Sequence, residues 1–122
     1  MVVFLDTYAL IEIDMANPRY GQYAGMGGQV ITSMFNLVEL HFVYLKQAGE
    51  KEAEGVLQAF RDHVVPLNDE IIRQANRFKL AHIKKRLSYA DCIGYAAAQY
   101  FEVPFVTGDY AFKGLPDVEF IQ

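Results

Sequence analysis

Val2-Val3-Phe4-Leu5 is a continuous apolar run closed by Asp6 and Thr7. A strand buried on one face alternates apolar and polar residues, whereas a run apolar at every position reads as a strand buried on both faces. Such strands belong to parallel sheets covered by helices on each side. A second stretch of the same kind, Val103 to Thr107, leads through Gly108 to Asp109. Two buried strands that each give way to an aspartate set the frame for everything else in the chain.

Working outward, Val30 to Thr32, Val64 to Leu67 and Val118 to Ile121 read as the second, third and fifth strands, with Val103 to Thr107 as the fourth. Thr7 to Met15 reads as a helix. Asn17-Pro18 supplies a cap with proline at the first helical position, but Gly21, Gly25, Gly27 and Gly28 weaken the helix that would follow. Ser33 caps a helix to about Ala48, with Phe35, Val38, Phe42 and Leu45 on one face at helical spacing. After the stop at Gly49, Glu50 to Asp62 forms a helix with Val56 and Phe60 facing inward. Asn68 caps a helix carrying Ile71, Ile72, Ala75, Phe78 and Leu80, which the basic stretch His82 to Arg86 ends. Ser88 starts a helix that runs to Phe101. Strands alternating with helices, without hairpin signals, predict one α/β domain over residues 1–122 with helices on both faces of a parallel sheet.

The 122 residues are 52% hydrophobic, enough for a well-filled core and a self-association surface. A net charge of -4 gives no global attraction to nucleic acid, so a polyanion would need a local basic patch or metal ions. The single cysteine, Cys92, excludes an internal disulfide framework and fits a reducing compartment. The N-terminal stretch has no basic region or small-residue cleavage site, and no apolar run is long enough to span a bilayer. The expected location is the cytoplasm.

Four acids stand in settings where an unpaired charge is costly: Asp6, Glu39, Asp91 and Asp109. Asp6 and Asp109 follow buried strands, and in open α/β sheets the site lies beyond the carboxyl ends of the strands, where strand order reverses. Each aspartate also reads as the cap of the element after it. Glu39 lies too deep in its helix to be a cap, among Val38, Leu40 and other apolar residues, with His41 the only other chargeable side chain from Phe35 to Leu45. Ser88-x-x-Asp91 is a capping-box pattern, and the helix N-terminus that it makes stabilises negative charge. A divalent cation would neutralise all four. Mg²⁺ takes oxygen ligands and keeps several waters, and two such ions can activate water and stabilise a leaving oxygen in phosphodiester cleavage. Without metal the acids repel, which raises at least one pKa. Thr7 and Thr107 adjoin the acids as candidates to orient a carboxylate or a water, and Gly108 as the freedom to present Asp109.

These residues resemble the PIN domain family and, within it, the VapC-like toxin ribonucleases. The resemblance rests on Phe4-Leu5-Asp6-Thr7 with Leu10, Thr32-Ser33 followed by Glu39-Leu40, Ser88-Tyr89-Ala90-Asp91 heading an Ala-rich helix, and Val106-Thr107-Gly108-Asp109. Their order, spacing and the total length match, so the likeness covers essentially the whole chain. It implies a three-layer α/β/α fold with a five-stranded parallel sheet ordered 3-2-1-4-5. It implies Mg²⁺- or Mn²⁺-dependent cleavage of RNA with Asp6, Glu39, Asp91 and Asp109 as catalytic and metal-holding acids, and with Thr7, Ser88 and Thr107 in support. Homodimerisation and a small inhibiting antitoxin protein of a type II pair are implied as well. The glycines between Tyr20 and Gly28 depart from the helix usual in that family.

Arg73, Arg77, Lys79, His82, Lys84, Lys85 and Arg86 crowd the approach to Asp91, and Lys113 follows Asp109. Lys84, Lys85, Arg86 and Lys113 are the candidates for RNA backbone contacts, against an ordinary solvated helix face. Tyr89 and Tyr110 are candidates to stack on bases. Two other readings compete. A PIN-like module that binds RNA or protein without cutting would ordinarily lack one or more of the acids. A phosphoacceptor receiver domain needs paired acids after strand one and a lysine after strand five, and here Asp6 is single and no lysine follows Ile121.

Overall fold

The computed structural model describes residues 1–122. Its four strands, β1 (Val3–Leu5), β2 (Val30–Ile31), β3 (Phe105–Thr107) and β4 (Val118–Phe120), form one parallel sheet in the order β2-β1-β3-β4. Phe4 pairs with Ile31 on one side and with Phe105 on the other, and Val106 pairs with Glu119. β2 lies on one side of β1, and β3 and β4 lie on the other. The order therefore reverses between β1 and β3, which makes a crevice at their carboxyl ends.

The sheet corrects one expectation. Val64 to Leu67, expected as the third strand, is not a strand; only Val64 meets the sheet, as a single parallel bridge to Thr32. The Thr32 N–H donates to the His63 carbonyl and the Val65 N–H to the Thr32 carbonyl, both at 3.0 Å. The pairing stops there because Ser33 caps α3 and the chain turns helical at Met34, leaving no residue after Thr32 to continue the ladder, and Asn68 then turns this segment into a helix as well. The sheet thus has four strands and not the expected five; the other four keep the expected neighbours, and the Val64 segment touches the β2 side only through that bridge.

Six helices surround the sheet: α1 (Thr7–Asp14), α2 (Gly21–Ala24), α3 (Met34–Gln47), α4 (Glu50–Phe60), α5 (Asp69–Ala81) and α6 (Tyr89–Tyr100). Each of the long ones starts where a local signal demands it. Asp6, Ser33, Asn68 and Ser88 accept hydrogen bonds from the first-turn backbone N–H groups of α1, α3, α5 and α6. Gly49, at φ 102°, makes the turn from α3 into α4 in a conformation that glycine adopts most easily. The glycine-rich segment after Asn17 holds only the single turn of α2 and short 3-10 turns.

The sheet separates two apolar cores. Phe4 and Phe105 stack at 5.7 Å and face Ile71, Ala75, Ala97 and Phe112 beneath α5 and α6. Val3, Leu5 and Val106 point the other way, onto Ala9, Leu10, Leu37 and Leu40 of α1 and α3. Helix α6 approaches closely because it is built of small residues: a Cβ on Gly94 would lie 3.0 Å from Phe4 Cε1.

The periodicity of α3 is present, but its large apolar face turns outward. Leu37 and Leu40 are buried, whereas Phe35, Val38, Phe42 and Leu45 are 40% to 64% exposed. Ile72 and Leu80 of α5 are also exposed. No helix is long and apolar enough to cross a membrane.

Candidate active site

Asp6 leaves β1 with its backbone N–H bonded to the Val106 carbonyl at 3.3 Å, and Asp109 lies two residues beyond β3. Adjacency of β1 and β3 brings these two acids to one crevice, as the run pattern predicts. Asp91, in the first turn of α6, raises the proton affinity of Asp6 by charge repulsion, as does Asp109. Glu39 and Asp109 act likewise on Asp91. The four carboxylates thus form one electrostatically linked group, drawn from β1, α3, α6 and the segment after β3.

The capping roles weighed for three of them also hold. Asp6 Oδ1 accepts from the Ala9 N–H at 2.8 Å, and Asp109 Oδ1 accepts from the Ala111 N–H at 2.9 Å. Asp91 Oδ2 accepts from the Ser88 N–H at 2.9 Å while Ser88 Oγ accepts from the Asp91 N–H at 3.1 Å, the reciprocal capping box. These bonds fix each carboxylate by one oxygen. The second oxygens of Asp91 and Asp109, and the whole Glu39 carboxylate, have no protein donor at hydrogen-bond distance.

Thr107 joins two of the acids. Its hydroxyl donates to Asp6 Oδ2 at 2.5 Å and accepts from the Asp109 N–H at 3.0 Å. The Thr7 hydroxyl does not reach Asp6; it accepts from Asn36 Nδ2 at 3.2 Å. Gly108 serves close approach rather than an unusual backbone angle. A Cβ there would lie 2.2 Å from Tyr8 Cε1 and 2.6 Å from the Ile121 carbonyl oxygen.

Burial dominates the electrostatics. Asp6 is 2% exposed, and its pKa is raised to about 7, first by desolvation and then by Asp91 and Asp109, against the Thr107 and Ala9 hydrogen bonds that lower it. Asp91 moves upward too, again chiefly by desolvation, with Glu39 and Asp109 adding to it. The repulsion expected from the sequence is present as the smaller cause.

No three His, Cys, Asp or Glu side chains close around one point as a ready-made cage. Mg²⁺ does not need one, since it is commonly held by one or two carboxylates with waters and substrate phosphate completing the shell. An all-oxygen set with unused oxygens on Asp91, Asp109 and Glu39 fits that chemistry. Mn²⁺ accepts the same donors.

The basic residues are less uniform than a strip. Arg73 and Arg77 reach Glu70 on their own helix at 3.4 and 3.7 Å, and Lys79 donates to the Leu87 carbonyl. Lys85 donates to the Ala111 carbonyl at 2.7 Å, which brings it to the turn that Asp109 caps. Lys84, Arg86 and Lys113 are exposed and form no ion pair. Tyr89 and Tyr110 are exposed, with Lys79 and Lys113 over their respective rings.

Sequence reading missed Asn36. It is 1% exposed, and it links Ser33 to Thr7 beside Asp6. Its signal was an amide three residues after a cap and three before Glu39, the spacing of one helical face.

A family model described as "PIN domain" matches residues 3–118. No match is found among curated proteins. Among solved structures, VapC20 of Mycobacterium tuberculosis, described as a sarcin-ricin loop cleaving toxin, has a TM-score of 0.77 at 19% identity, covering 98% of this chain and 99% of that one. A chain of a toxin-antitoxin complex from Klebsiella pneumoniae has a TM-score of 0.72 at 20% identity over 96% and 95% of the two chains. A chain of VapBC2 from Rickettsia felis, bound to a promoter DNA fragment, has a TM-score of 0.71 at 16% identity over 99% and 98%. These likenesses extend over nearly the full length of each chain.

Proposed function

This chain belongs to the PIN domain family, and from that premise we propose that it is a metal-dependent endoribonuclease, the toxin of a type II toxin-antitoxin pair acting in the cytoplasm. One observation carries the reading. Asp6, Glu39, Asp91 and Asp109 come from distant parts of the sequence to a single linked group at the reversal point of the sheet.

In this reading the four acids hold Mg²⁺ or Mn²⁺. When bound, the ion supplies activation of water and stabilisation of the leaving oxygen. The chain's own residues supply position. Thr107 and the Ala9 N–H orient Asp6. The Ser88 capping box turns one Asp91 oxygen away and leaves the other to the crevice, and the Ala111 N–H does the same for Asp109. Lys84, Lys85, Arg86 and Lys113 offset the negative crevice and take up RNA phosphates along its rim, with Tyr89 and Tyr110 as stacking platforms.

Two partners belong to the proposal. The first is a second copy of the chain, docked on the exposed apolar face of α3. That face continues into a hollow of about 320 Å³ lined by Phe35, Leu67, Ile72, Ala75, Tyr89 and Ile93. The second is a small antitoxin protein, in keeping with the toxin-antitoxin complexes among the structural relatives.

The test is incubation of a mixed RNA pool with purified protein in Mg²⁺ or Mn²⁺ and in EDTA, beside Asp6→Asn and Asp91→Asn. Metal-dependent cutting lost in both variants is the expected result. A folded protein that binds metal and RNA but cuts nothing would replace this reading with a non-catalytic binding module.

A further inference from the structure

Asn36 is a polar side chain in the apolar ground between α3, β1 and α6. Three contacts fix it. The Ser33 hydroxyl donates to Asn36 Oδ1 at 2.6 Å, Asn36 Nδ2 donates to Thr7 Oγ1 at 3.2 Å, and the Asn36 backbone N–H donates to Ser33 Oγ at 3.2 Å. Across the amide, a Cβ on Gly94 would lie 3.2 Å from Asn36 Oδ1, so α6 closes over it.

The direction of these bonds is determined by satisfaction. Ser33 is fully buried, and its oxygen already accepts from the Asn36 N–H. Its proton has one acceptor, Asn36 Oδ1. Exchanging the amide oxygen and nitrogen would leave that proton buried without a partner, which is costly. The oxygen of Asn36 therefore faces Ser33 and its nitrogen faces Thr7. A hydroxyl has one proton to give and two lone pairs to receive with. Thr7 Oγ1 receives from Asn36 and gives its proton to no group of the protein.

We propose that Asn36 is a positioning residue: through the chain Ser33 to Asn36 to Thr7 it holds the Thr7 hydroxyl as a hydrogen-bond donor to a non-bridging phosphate oxygen of the bound nucleic acid. This rests on the nuclease reading and adds to it the polarity of one contact. Thr7 sits at the first position of α1, directly after Asp6, and the residue retains 8% exposure. Among the hydroxyls beside the acids, that of Thr107 is already committed to Asp6, whereas that of Thr7 is not. A neutral donor at that point meets a phosphate without adding charge, and the Asn36 amide fixes the side of the Thr7 oxygen that receives and so the side left for its proton.

The test is a double-mutant cycle of Asn36→Leu, Thr7→Val and the pair. It reads two quantities: kcat/KM on a mixed RNA pool in Mn²⁺, and affinity for a fluorescein-labelled phosphorothioate oligoribonucleotide of mixed sequence, by anisotropy in Mg²⁺. Thermal melts identify any variant that has lost its fold, and Thr7→Ser, which keeps the hydroxyl, guards against that outcome. Loss of one hydrogen bond to a charged group is worth about 10- to 100-fold. Asn36→Leu and Thr7→Val should each lose that much in both quantities, Thr7→Ser should lose little, and the pair should be no worse than Thr7→Val alone. An equal loss from Asn36→Leu with or without the Thr7 hydroxyl would make Asn36 a packing residue and overturn the proposal. If wild type binds the oligonucleotide but does not cut RNA, the nuclease reading fails and the binding cycle still decides the role of Asn36. If wild type neither binds nor cuts, both fail.

Discussion

The Thr107 hydroxyl donates to Asp6 Oδ2 across 101 residues of chain, at 2.5 Å, inside a part of the molecule closed to solvent. The bond ties the end of β3 to the end of β1, and the same oxygen of Thr107 receives the Asp109 N–H. One small side chain thereby sets the orientation of two acids.

Thr107→Val should separate that role from packing, because valine keeps the shape and loses the hydroxyl. Removing a bond that lowers the Asp6 pKa leaves the carboxyl still harder to ionise. Mn²⁺ affinity at neutral pH should fall by about 10-fold or more, since a charged hydrogen bond is worth roughly 1.5–3 kcal/mol, while Thr107→Ser should stay near wild type. Calorimetric titration with Mn²⁺ decides it, and an unchanged affinity in Thr107→Val would remove Thr107 from the site's support.

Asp6 makes stability fall as pH rises. Its folded pKa, about 7, lies above the ordinary 3.8, so the folded state holds the proton more tightly than the unfolded one. The contribution is fully present below about pH 4 and is lost as pH climbs through 7. Its size is on the order of a few kcal/mol. Metal-free melts from pH 4 to pH 8 should show this decline, and Asp6→Asn should flatten it and be the more stable protein at pH 8. Mg²⁺ should raise the wild-type Tm more at pH 8 than at pH 5, with protons released on binding. A wild-type profile parallel to that of Asp6→Asn would contradict the burial of a protonated carboxyl.

Gly108→Ala should be far more damaging than its one added methyl indicates. The new carbon would lie 2.2 Å from the Tyr8 ring and 2.6 Å from the Ile121 carbonyl, and overpacking of this kind costs about 1–3 kcal/mol or more. Tyr8→Leu in the same chain should recover only part of the loss, because the carbonyl stays in place. Urea denaturation gives both numbers, and a Gly108→Ala midpoint equal to wild type would refute the close approach.

The outer face of α3 should hold two copies together. Val38→Glu or Phe42→Glu, each changing an exposed residue, should convert a dimer to a folded monomer in sedimentation velocity. A wild-type chain that sediments as a monomer at high micromolar concentration would remove that partner from the proposed function.

Much of this architecture can be read in the chain because the signals are local. Apolar runs ending in Asp6 and Asp109 mark the two central strands, and Ser33, Asn68 and Ser88 mark the helix starts to within a residue. What could not be read depends on facts that no local pattern contains. The spacing of Phe35, Val38, Phe42 and Leu45 defines a face but not which side of the helix meets the core; Leu37 and Leu40 took that place. The run Val64 to Leu67 looked like a strand, and its pairing ended after one bridge because its partner segment turns into α3 at Met34. Asn36 was hidden because its meaning lies in Thr7, 29 residues earlier, and emerges only when α3 packs beside α1.

The lone bridge at Val64 has one more consequence, for recognition. A sheet margin with free N–H and C=O groups invites a foreign strand to add itself. Along the Val64 flank the outward N–H of Val64 is taken by the Arg61 carbonyl, Pro66 has no N–H to offer, and the chain bends away into α5. On that side an incoming peptide finds neither outward N–H position open to pairing.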